Sequence, residues 1–217
     1  MCFSFRADIH PDELKELANA QTAAKSFELF YKENPEGFGT TIFPNAYALG
    51  MVKMKQGNVL VPMRYRVRPH GSKEEVPAKY NLYNARIEGL LTKDTWKPLM
   101  GRKHVSIPMN AFNEWISTEQ GKKIVQFSIK EQSLFWVAGL FDIWENPQTK
   151  DKLISFALVT RPPTKYIEEV GHDRCPAIMT TEQAIRWIGH QKDEQESLNF
   201  LHKLPEVLDF THQFAVI

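Results

Sequence analysis

The chain has only two cysteines among its 217 residues, Cys2 and Cys175. Two thiols cannot build the paired framework that holds small secreted proteins together, and such sparse usage is typical of the reducing cytosol. A chain of this length buries about 70% of its unfolded surface, so its core requires neither disulfides nor a metal. We therefore expect a cytoplasmic protein that uses no cofactor.

Long apolar runs are also missing. No stretch approaches the roughly 20 residues of a membrane helix, and the segment MCFSFRADIHPDEL lacks the apolar centre of a signal peptide. Repeats, low-complexity tracts and long linkers are absent, which predicts that residues 1–217 form a single domain. The formal net charge of +1 does not indicate nucleic-acid binding, although a local basic groove is sufficient for it.

Short strands dominate the predicted secondary structure. Apolar patterning predicts strands over residues 1–7, 46–55, 59–68 and 154–160, and strands or short helices over 84–91, 124–129 and 135–142. Helical spacing predicts helices from Pro11 to about Phe27 and over residues 165–170, 181–188 and 194–202. This order predicts an α+β domain built mainly from antiparallel strands.

Arginine occupies alternate positions at the end of the strand predicted over residues 59–68. Arg64, Arg66 and Arg68 are expected on one face of this strand. Three guanidinium groups in a row repel one another unless an anion lies across them, and phosphate fits their geometry. Pairing with Glu74 and Glu75 on a solvated face explains the same pattern equally well.

Cys2 can carry out chemistry that is closed to an internal cysteine. If Met1 is removed, Cys2 bears an α-amine with a pKa of about 7.7–8.0 and a thiol with a pKa near 8.5 on adjacent carbons. The amine can form an imine with an aldehyde, and the sulfur can then close a five-membered ring. Position alone favours an arbitrary second residue without a chemical role.

Two further side chains are candidates for proton transfer. Glu114 follows an apolar stretch and precedes Trp115; in a pocket its pKa would rise, whereas a surface glutamate before a buried tryptophan is the commoner arrangement. His172 can titrate near neutral pH or merely satisfy a loop. His172 and Cys175 are not read as a zinc site, because no second pair of ligands has suitable spacing.

Five segments, taken in order after Cys2, resemble the SOS-response-associated peptidase (SRAP) family, whose members are also described as abasic-site processing proteins. They are residues 63–69 (MRYRVRP), 84–88 (NARIE), 108–115 (PMNAFNEW), 138–141 (AGLF) and 172–176 (HDRCP). The corresponding family motifs are MRWGLIP, NARxE, PADGFYEW, AGLW and HxRMP. The chain departs from the family where CFSF replaces the usual CGRF, and where His70 and Gly71 replace aromatic residues that wedge into DNA.

The resemblance implies the SRAP fold, a barrel-like core of mainly antiparallel strands with flanking helices. It also implies an autoprocessing peptidase that removes its own Met1, with a crosslinking, lyase-like activity. Cys2 would then form a covalent thiazolidine with the aldehyde of an abasic site in single-stranded DNA. The implied catalytic residues are Cys2, Asn84, Glu114 and His172. The implied DNA-binding residues are Arg64, Arg68, Arg86 and Arg174. A monomer without a metal, cofactor or membrane partner is expected.

Two other functions remain open at this stage. The first is a cysteine peptidase that acts on protein substrates, with Cys2 as nucleophile, His172 as base and Glu114 as the orienting group. The second is a module that binds single-stranded DNA without covalent chemistry, in which Cys2 is incidental. The arginine-rich strand suits DNA binding but has no role in the peptidase.

Overall fold

The computed structural model describes residues 3–189, 193–205 and 209–215. The strands are β1 (Ser4–Arg6), β2 (Ala20–Thr22), β3 (Thr41–Ile42), β4 (Tyr47–Met54), β5 (Gly57–Tyr65), β6 (Asn84–Arg86), β7 (His104–Met109), β8 (Ala111–Thr118), β9 (Gly121–Ile129), β10 (Phe135–Glu145), β11 (Lys152–Arg161), β12 (Cys175–Pro176), β13 (Ile178–Met179) and β14 (Phe210–Ala215). The helices are α1 (Pro11–Leu17), α2 (Ala24–Glu33), α3 (Lys165–Val170), α4 (Thr181–Gly189) and α5 (Glu194–His202).

Five strands close into a barrel. β5 pairs with β4, β4 with β7, β7 with β10 and β10 with β11, all antiparallel. A parallel pairing of β11 with β5 completes the ring. Each of the five strands therefore has a paired neighbour on both sides. The predicted α+β fold with a barrel-like core of mainly antiparallel strands is therefore confirmed.

A second sheet packs beside the barrel and contains the start of the described chain. Its strand order is β14, β9, β8, β1 and β3. Phe5 of β1 lies opposite Phe112 of β8, and its ring meets the barrel residues Tyr65 and Phe156 with centroids 5.3 and 6.4 Å away. These aromatic contacts join the second sheet to the barrel.

The single helix predicted from Pro11 to Phe27 is wrong. α1 ends at Leu17, and Asn19 adopts a left-handed backbone conformation with φ of 44°, which asparagine tolerates better than most residues. The Asn58 side chain donates a hydrogen bond of 2.9 Å to Ala18 O. The chain then forms β2, which pairs in parallel with β5, before α2 begins.

The predicted strand over residues 59–68 is also wrong at its end. β5 stops at Tyr65, because Arg66 has a φ of 119° that breaks the alternation of a strand. For a residue other than glycine this conformation costs about 1–3 kcal/mol. The Arg66 side chain compensates through a hydrogen bond to Val76 O and one of 3.5 Å to Asn45 Oδ1.

Several strands had no counterpart in the sequence-based prediction, and residues 154–160 are not the final strand. β7, β8 and β14 are the longest of the missed strands. Within residues 84–91 the chain forms only the short β6 and a 3₁₀ turn, Ile87–Gly89. Across the described residues, no helix has the length and apolar character needed to cross a membrane.

Gly139→Ala is expected to destabilise the barrel. A Cβ atom at this position of β10 would lie 2.8 Å from Ala157 O and 2.9 Å from Val105 Cγ1. The carbonyl belongs to a paired strand and cannot move alone, so overpacking should lower the free energy of unfolding by about 1–3 kcal/mol. Urea unfolding of both proteins measures the difference.

Gly189→Ala is the control, since nothing lies within 4 Å of a Cβ added at this exposed end of α4. Its change should stay within about 0.5 kcal/mol. Equal losses in the two variants would mean that close strand packing is not the cause.

Candidate active site

The fold brings together Glu114 and His172, two of the predicted catalytic residues. Glu114 lies on β8 and His172 follows α3, and the distance from His172 Nε2 to Glu114 Oε2 is 3.2 Å. The Glu114 side chain is only 1% exposed, and His172 is buried as well. An acid and a base are therefore in direct contact within the protein interior.

The end of α3 determines the position of His172. Gly171 ends the helix with φ of 106°, and the His172 backbone N–H donates to Ile167 O at 3.1 Å, a common form of helix termination. The ring is held at its other nitrogen, because His172 Nδ1 lies 2.9 Å from Arg174 O. This contact turns Nε2 toward Glu114.

Burial alters the ionisation of both groups. It raises the pKa of Glu114 to about 8, since a carboxylate is poorly solvated in the interior. Burial also lowers the pKa of His172 below its usual value. Near neutral pH the folded protein thus holds a protonated carboxyl beside a neutral imidazole. Such a pair is suited to moving protons during a reaction.

Predicted functional residues also gather along β11. β6 pairs with β11 in parallel, which places Asn84 opposite Leu158 and Arg86 opposite Thr160. From the segment after α3, Arg174 Nη2 donates to Thr160 O at 2.8 Å. Asn84 is buried and Arg86 is exposed. The end of β11 therefore joins the Asn84 strand to the segment that carries His172.

Arg174 has a carboxylate partner within the protein. Its Nη1 and Nη2 atoms lie 2.7 and 3.1 Å from the two carboxyl oxygens of Glu88. A bidentate contact of this kind holds the guanidinium in one orientation. The role of Arg174 in DNA binding stays a prediction.

Arg64 and Arg68 converge on Glu75, together with Arg66. Arg64 donates to both Glu75 oxygens, at 2.9 and 3.1 Å. The guanidinium of Arg68 lies 3.4 Å from the centre of the Trp144 ring. The pairing with Glu75 that the sequence offered is therefore present, while contact with phosphate stays a prediction.

Met1 and Cys2 lie outside the described residues, so the role of Cys2 stays a prediction. Phe3 is the first residue that the structure describes. The Phe3 backbone N–H donates to Asn113 O at 3.4 Å, adjacent to Glu114. Asn113 Nδ2 also donates to Ser4 Oγ at 2.9 Å, which holds the register of β1 against β8. The first described residues thus run beside the strand that carries Glu114.

The commoner arrangement considered from sequence, a surface glutamate before a buried tryptophan, is reversed at Glu114 and Trp115. Glu114 is interior, whereas Trp115 is 47% exposed. The Trp115 ring lies 5.4 Å from that of Phe3, which in turn lies 6.1 Å from that of Phe43. Sequence reasoning missed this exposed aromatic group, because the four buried residues before it remove the alternation that reveals a strand.

Cys175 is not a candidate nucleophile. It is buried, and burial raises the pKa of its thiol to about 12, so the reactive thiolate is scarce at neutral pH. Within the part of the chain that the structure describes, no group of three His, Cys, Asp or Glu residues is arranged to hold a metal ion.

The sequence pattern of the family described as SOS response associated peptidase (SRAP) matches residues 1–213 of the chain. The chain belongs to the SRAP family. This confirms the resemblance drawn from the order of the five motifs and Cys2.

Relatives of this SRAP protein include the abasic site processing protein YobE of Bacillus subtilis. The two are 29% identical over 161 residues, which cover 74% of this chain and 72% of YobE. The abasic site processing protein HMCES of Pongo abelii is 27% identical over 175 residues, covering 66% of this chain and 49% of HMCES.

The SRAP chain also shares its fold with solved structures. Crystal structures of proteins from Bacteroides thetaiotaomicron and Bordetella bronchiseptica each superpose with a TM-score of 0.80, at 15% and 16% identity. The first match covers 98% of this chain and 91% of the other, and the second covers 100% of both. The arrangement of barrel and second sheet is thus common to proteins whose sequences differ widely.

Glu114→Gln is expected to change how stability depends on pH. The folded pKa of about 8 lies above the unfolded value of about 4.3, so the folded state holds an extra proton between these values and loses stability as the pH rises through the window. From about pH 6.5 to pH 8, the variant should gain roughly 1–2 kcal/mol in unfolding free energy relative to the wild type. Urea unfolding at both pH values measures this gain.

His172 does not disturb the comparison, because both proteins contain it and its contribution to the pH dependence cancels in the difference between them. Glu119→Gln, at an exposed position after β8, is the matched control and should follow the wild type. A Glu114→Gln curve parallel to that of the wild type would show that Glu114 is already ionised in the folded protein.

Proposed function

We propose that this protein processes abasic sites in single-stranded DNA by forming a covalent thiazolidine crosslink through Cys2. The observation that carries the proposal is the buried contact between Glu114 and His172. Phe3, which follows Cys2 in the chain, is hydrogen-bonded to Asn113, the residue before Glu114. The names of the relatives, which are abasic site processing proteins, support the substrate. Self-processing removes Met1 first, and residues 1–217 act as one domain.

The chemistry consists of two additions to one carbon. The Cys2 amine attacks the aldehyde carbon of the opened abasic site and gives a carbinolamine, which loses water to become an imine. The thiol sulfur then bonds to the imine carbon, and the thiol proton passes to the nitrogen. The product is a thiazolidine, and no oxidant or reductant is consumed.

Glu114 and His172 supply the protons that these steps require. A carboxyl with a pKa of about 8 is protonated near neutral pH, so Glu114 can protonate the leaving hydroxyl and afterwards recover a proton. His172 is in contact with the same carboxyl through Nε2. Neutral His172 accepts the carboxyl proton at Nε2 and delivers it to the sugar oxygen as the closed form of the abasic site opens, and the proton that the C1 hydroxyl releases in this step returns to Glu114.

The remaining predicted residues hold the substrate. Asn84 is buried at the start of β6 and orients the N-terminal residue or the sugar through hydrogen bonds. Arg86, Arg174, Arg64 and Arg68 neutralise backbone phosphates, which makes binding sensitive to salt.

A cysteine peptidase is the second candidate, since the Glu114–His172 contact also suits an acid that orients a base. In such a triad one imidazole nitrogen faces the acid and the other faces the nucleophile. Here Nε2 faces Glu114 and Nδ1 contacts Arg174 O, so a thiol would have to displace one of these contacts. This geometry favours the crosslink.

Cys2→Ala should abolish the adduct, whereas Cys175→Ala should retain it, because only Cys2 can present an amine and a thiol together. The protein without Met1 is incubated with a single-stranded oligonucleotide that contains one abasic site. A denaturing gel and intact-mass analysis then detect a heat-stable product. Intact DNA should give none.

Two further samples test the ring closure. Cys2→Ser keeps the amine and should give at most a reducible imine, so a heat-stable adduct from this variant would refute the thiazolidine. Acetylation of the amine with the thiol spared should stop crosslinking, and proteolysis that survives this treatment would support the peptidase instead.

Glu114→Gln should slow adduct formation by roughly 100-fold or more, because it removes the group that exchanges protons with the carbinolamine. Binding of intact single-stranded DNA should change little. The rate of adduct formation and the Kd are measured separately, with Glu119→Gln as the control for the lost charge. Parallel losses of rate and affinity would mean that Glu114 serves the structure rather than the reaction.

A further inference from the structure

One carboxylate, that of Glu75, faces three arginines. Its oxygens lie 2.9 Å from Arg64 Nη2, 3.9 Å from Arg66 Nη1 and 3.7 Å from Arg68 Nη1. Three guanidinium charges against one carboxylate charge leave two positive charges unbalanced. The cluster therefore attracts a further anion, or one of higher charge.

The three guanidiniums are largely enclosed, and their hydrogen bonds are incomplete. Arg64 Nε and Arg68 Nε are buried and have no hydrogen-bond partner among the described residues. The guanidinium of Arg68 lies over the Trp144 ring, which limits its movement toward solvent. Because a buried donor without a partner is costly, a ligand that offers more acceptor oxygens than a carboxylate would fit this site better.

Arg66 takes part in this cluster although its backbone adopts a conformation that is unfavourable for arginine. In the family motif that residues 63–69 resemble, glycine stands at this position, and Arg66 has a φ of 119° that glycine adopts without strain. Isoleucine stands at the position of Arg68 in the same motif. Two of the three arginines are thus features of this chain rather than of the motif.

The strand that carries Arg64 and the strand that carries Asn84 and Arg86 both pair with β11. Along β11, Ser155 is opposite Arg64, Leu158 is opposite Asn84 and Thr160 is opposite Arg86. At about 3.3 Å per residue, Arg64 is about 10 Å along the strand from Asn84 and about 17 Å from Arg86. Arg64 and Asn84 face opposite sides of the sheet, because their partners on β11 are three residues apart.

Glu75 belongs to the loop between β5 and β6, and the start of this loop is anchored independently of the arginines. The His70 backbone N–H donates to Asp142 Oδ2, and Trp144 Nε1 donates to Ser72 O, both at 2.7 Å. Beyond Ser72, the described contacts of Glu75 and Val76 are with the arginines themselves. The Glu75 side chain is 37% exposed, so an anion from solvent can reach it.

We propose that Arg64, Arg66 and Arg68 form a binding site for a backbone phosphate of single-stranded DNA, and that the Glu75 carboxylate occupies this site until DNA displaces it. The identity of the ligand as DNA rests on the proposed function. The Glu75 carboxylate thereby competes with the DNA phosphate. This competition weakens the binding of single-stranded DNA that does not also contact Glu114 and His172.

Glu75→Gln should strengthen binding of a fluorescent oligothymidine that has no abasic site. We expect the Kd at low salt to fall about five- to tenfold, in the lower range of couplings between two ligands of one protein. The slope of log K against log salt should steepen by about 0.7, the value for one further phosphate contact on a single strand. Fluorescence anisotropy over a salt series measures both quantities.

Glu74→Gln is the matched control, because it removes the same charge from the neighbouring exposed residue, and its Kd should change by less than about twofold. Arg66→Gly in the Glu75→Gln protein tests the arginines. Glycine suits the backbone at this position, so the protein should fold, and the gained affinity and slope should be lost. Equal effects of Glu75→Gln and Glu74→Gln, or a folded Arg66→Gly protein that keeps the gain, would overturn the proposal.

The crosslinking assay separates this site from the proposed function. If Glu75→Gln tightens binding but no adduct forms with abasic DNA, the phosphate site stands and the crosslink fails. If the adduct forms while Glu75→Gln and Glu74→Gln behave alike, the crosslink stands and the phosphate site fails.

Discussion

The pairing of two successive strands along β11 is the constraint on which the rest of the structure depends. β5 closes the barrel by pairing with the first half of β11, and β6 pairs with its second half. Since both run parallel to the same strand, the chain must leave the sheet after Tyr65 and return at Asn84. That departure creates the turn at Arg66 and the loop that carries Glu75. It also places Arg64 and Asn84 opposite positions of β11 that are three residues apart.

The candidate active site depends on a different effect, the exclusion of water from two titratable groups. Burying a charged group is costly, so a buried acid and a buried base tend toward their neutral forms. Glu114 and His172 follow this rule, with a raised pKa for the acid and a lowered pKa for the base. The same burial that makes the pair tolerable in the core leaves a proton available near neutral pH.

The arginine cluster solves the opposite electrostatic problem. Guanidinium groups stay charged at any accessible pH, so they cannot be neutralised by burial and need anions nearby. Glu75 supplies one, and the stack of Arg68 on Trp144 supplies a further favourable contact. Acid and base in the candidate active site thus lose their charges, while the arginines keep theirs and acquire a counterion.

The sequence by itself determined the features that arise from neighbours in the chain. The helices α3, α4 and α5 follow from local periodicity and capping, and the order of the motifs around Cys2 was sufficient to identify the family. The sequence also indicated which side chains could exchange protons, Glu114 and His172, and which could bind anions, the arginines. β7 and β8 were missed because six successive residues of β7 and four of β8 are buried, which removes the alternation that reveals a strand.

Only the tertiary structure decided which acid is buried and which is paired. Glu114 and Glu75 are the same residue type, yet one is a protonated acid in the core and the other a counterion to three arginines. It also decided where β5 ends, because the φ of Arg66 is held by contacts with Asn45 and Val76. The reason is physical: local patterns record forces over a few residues, whereas burial, pKa and ion pairing depend on side chains that only the completed fold brings together.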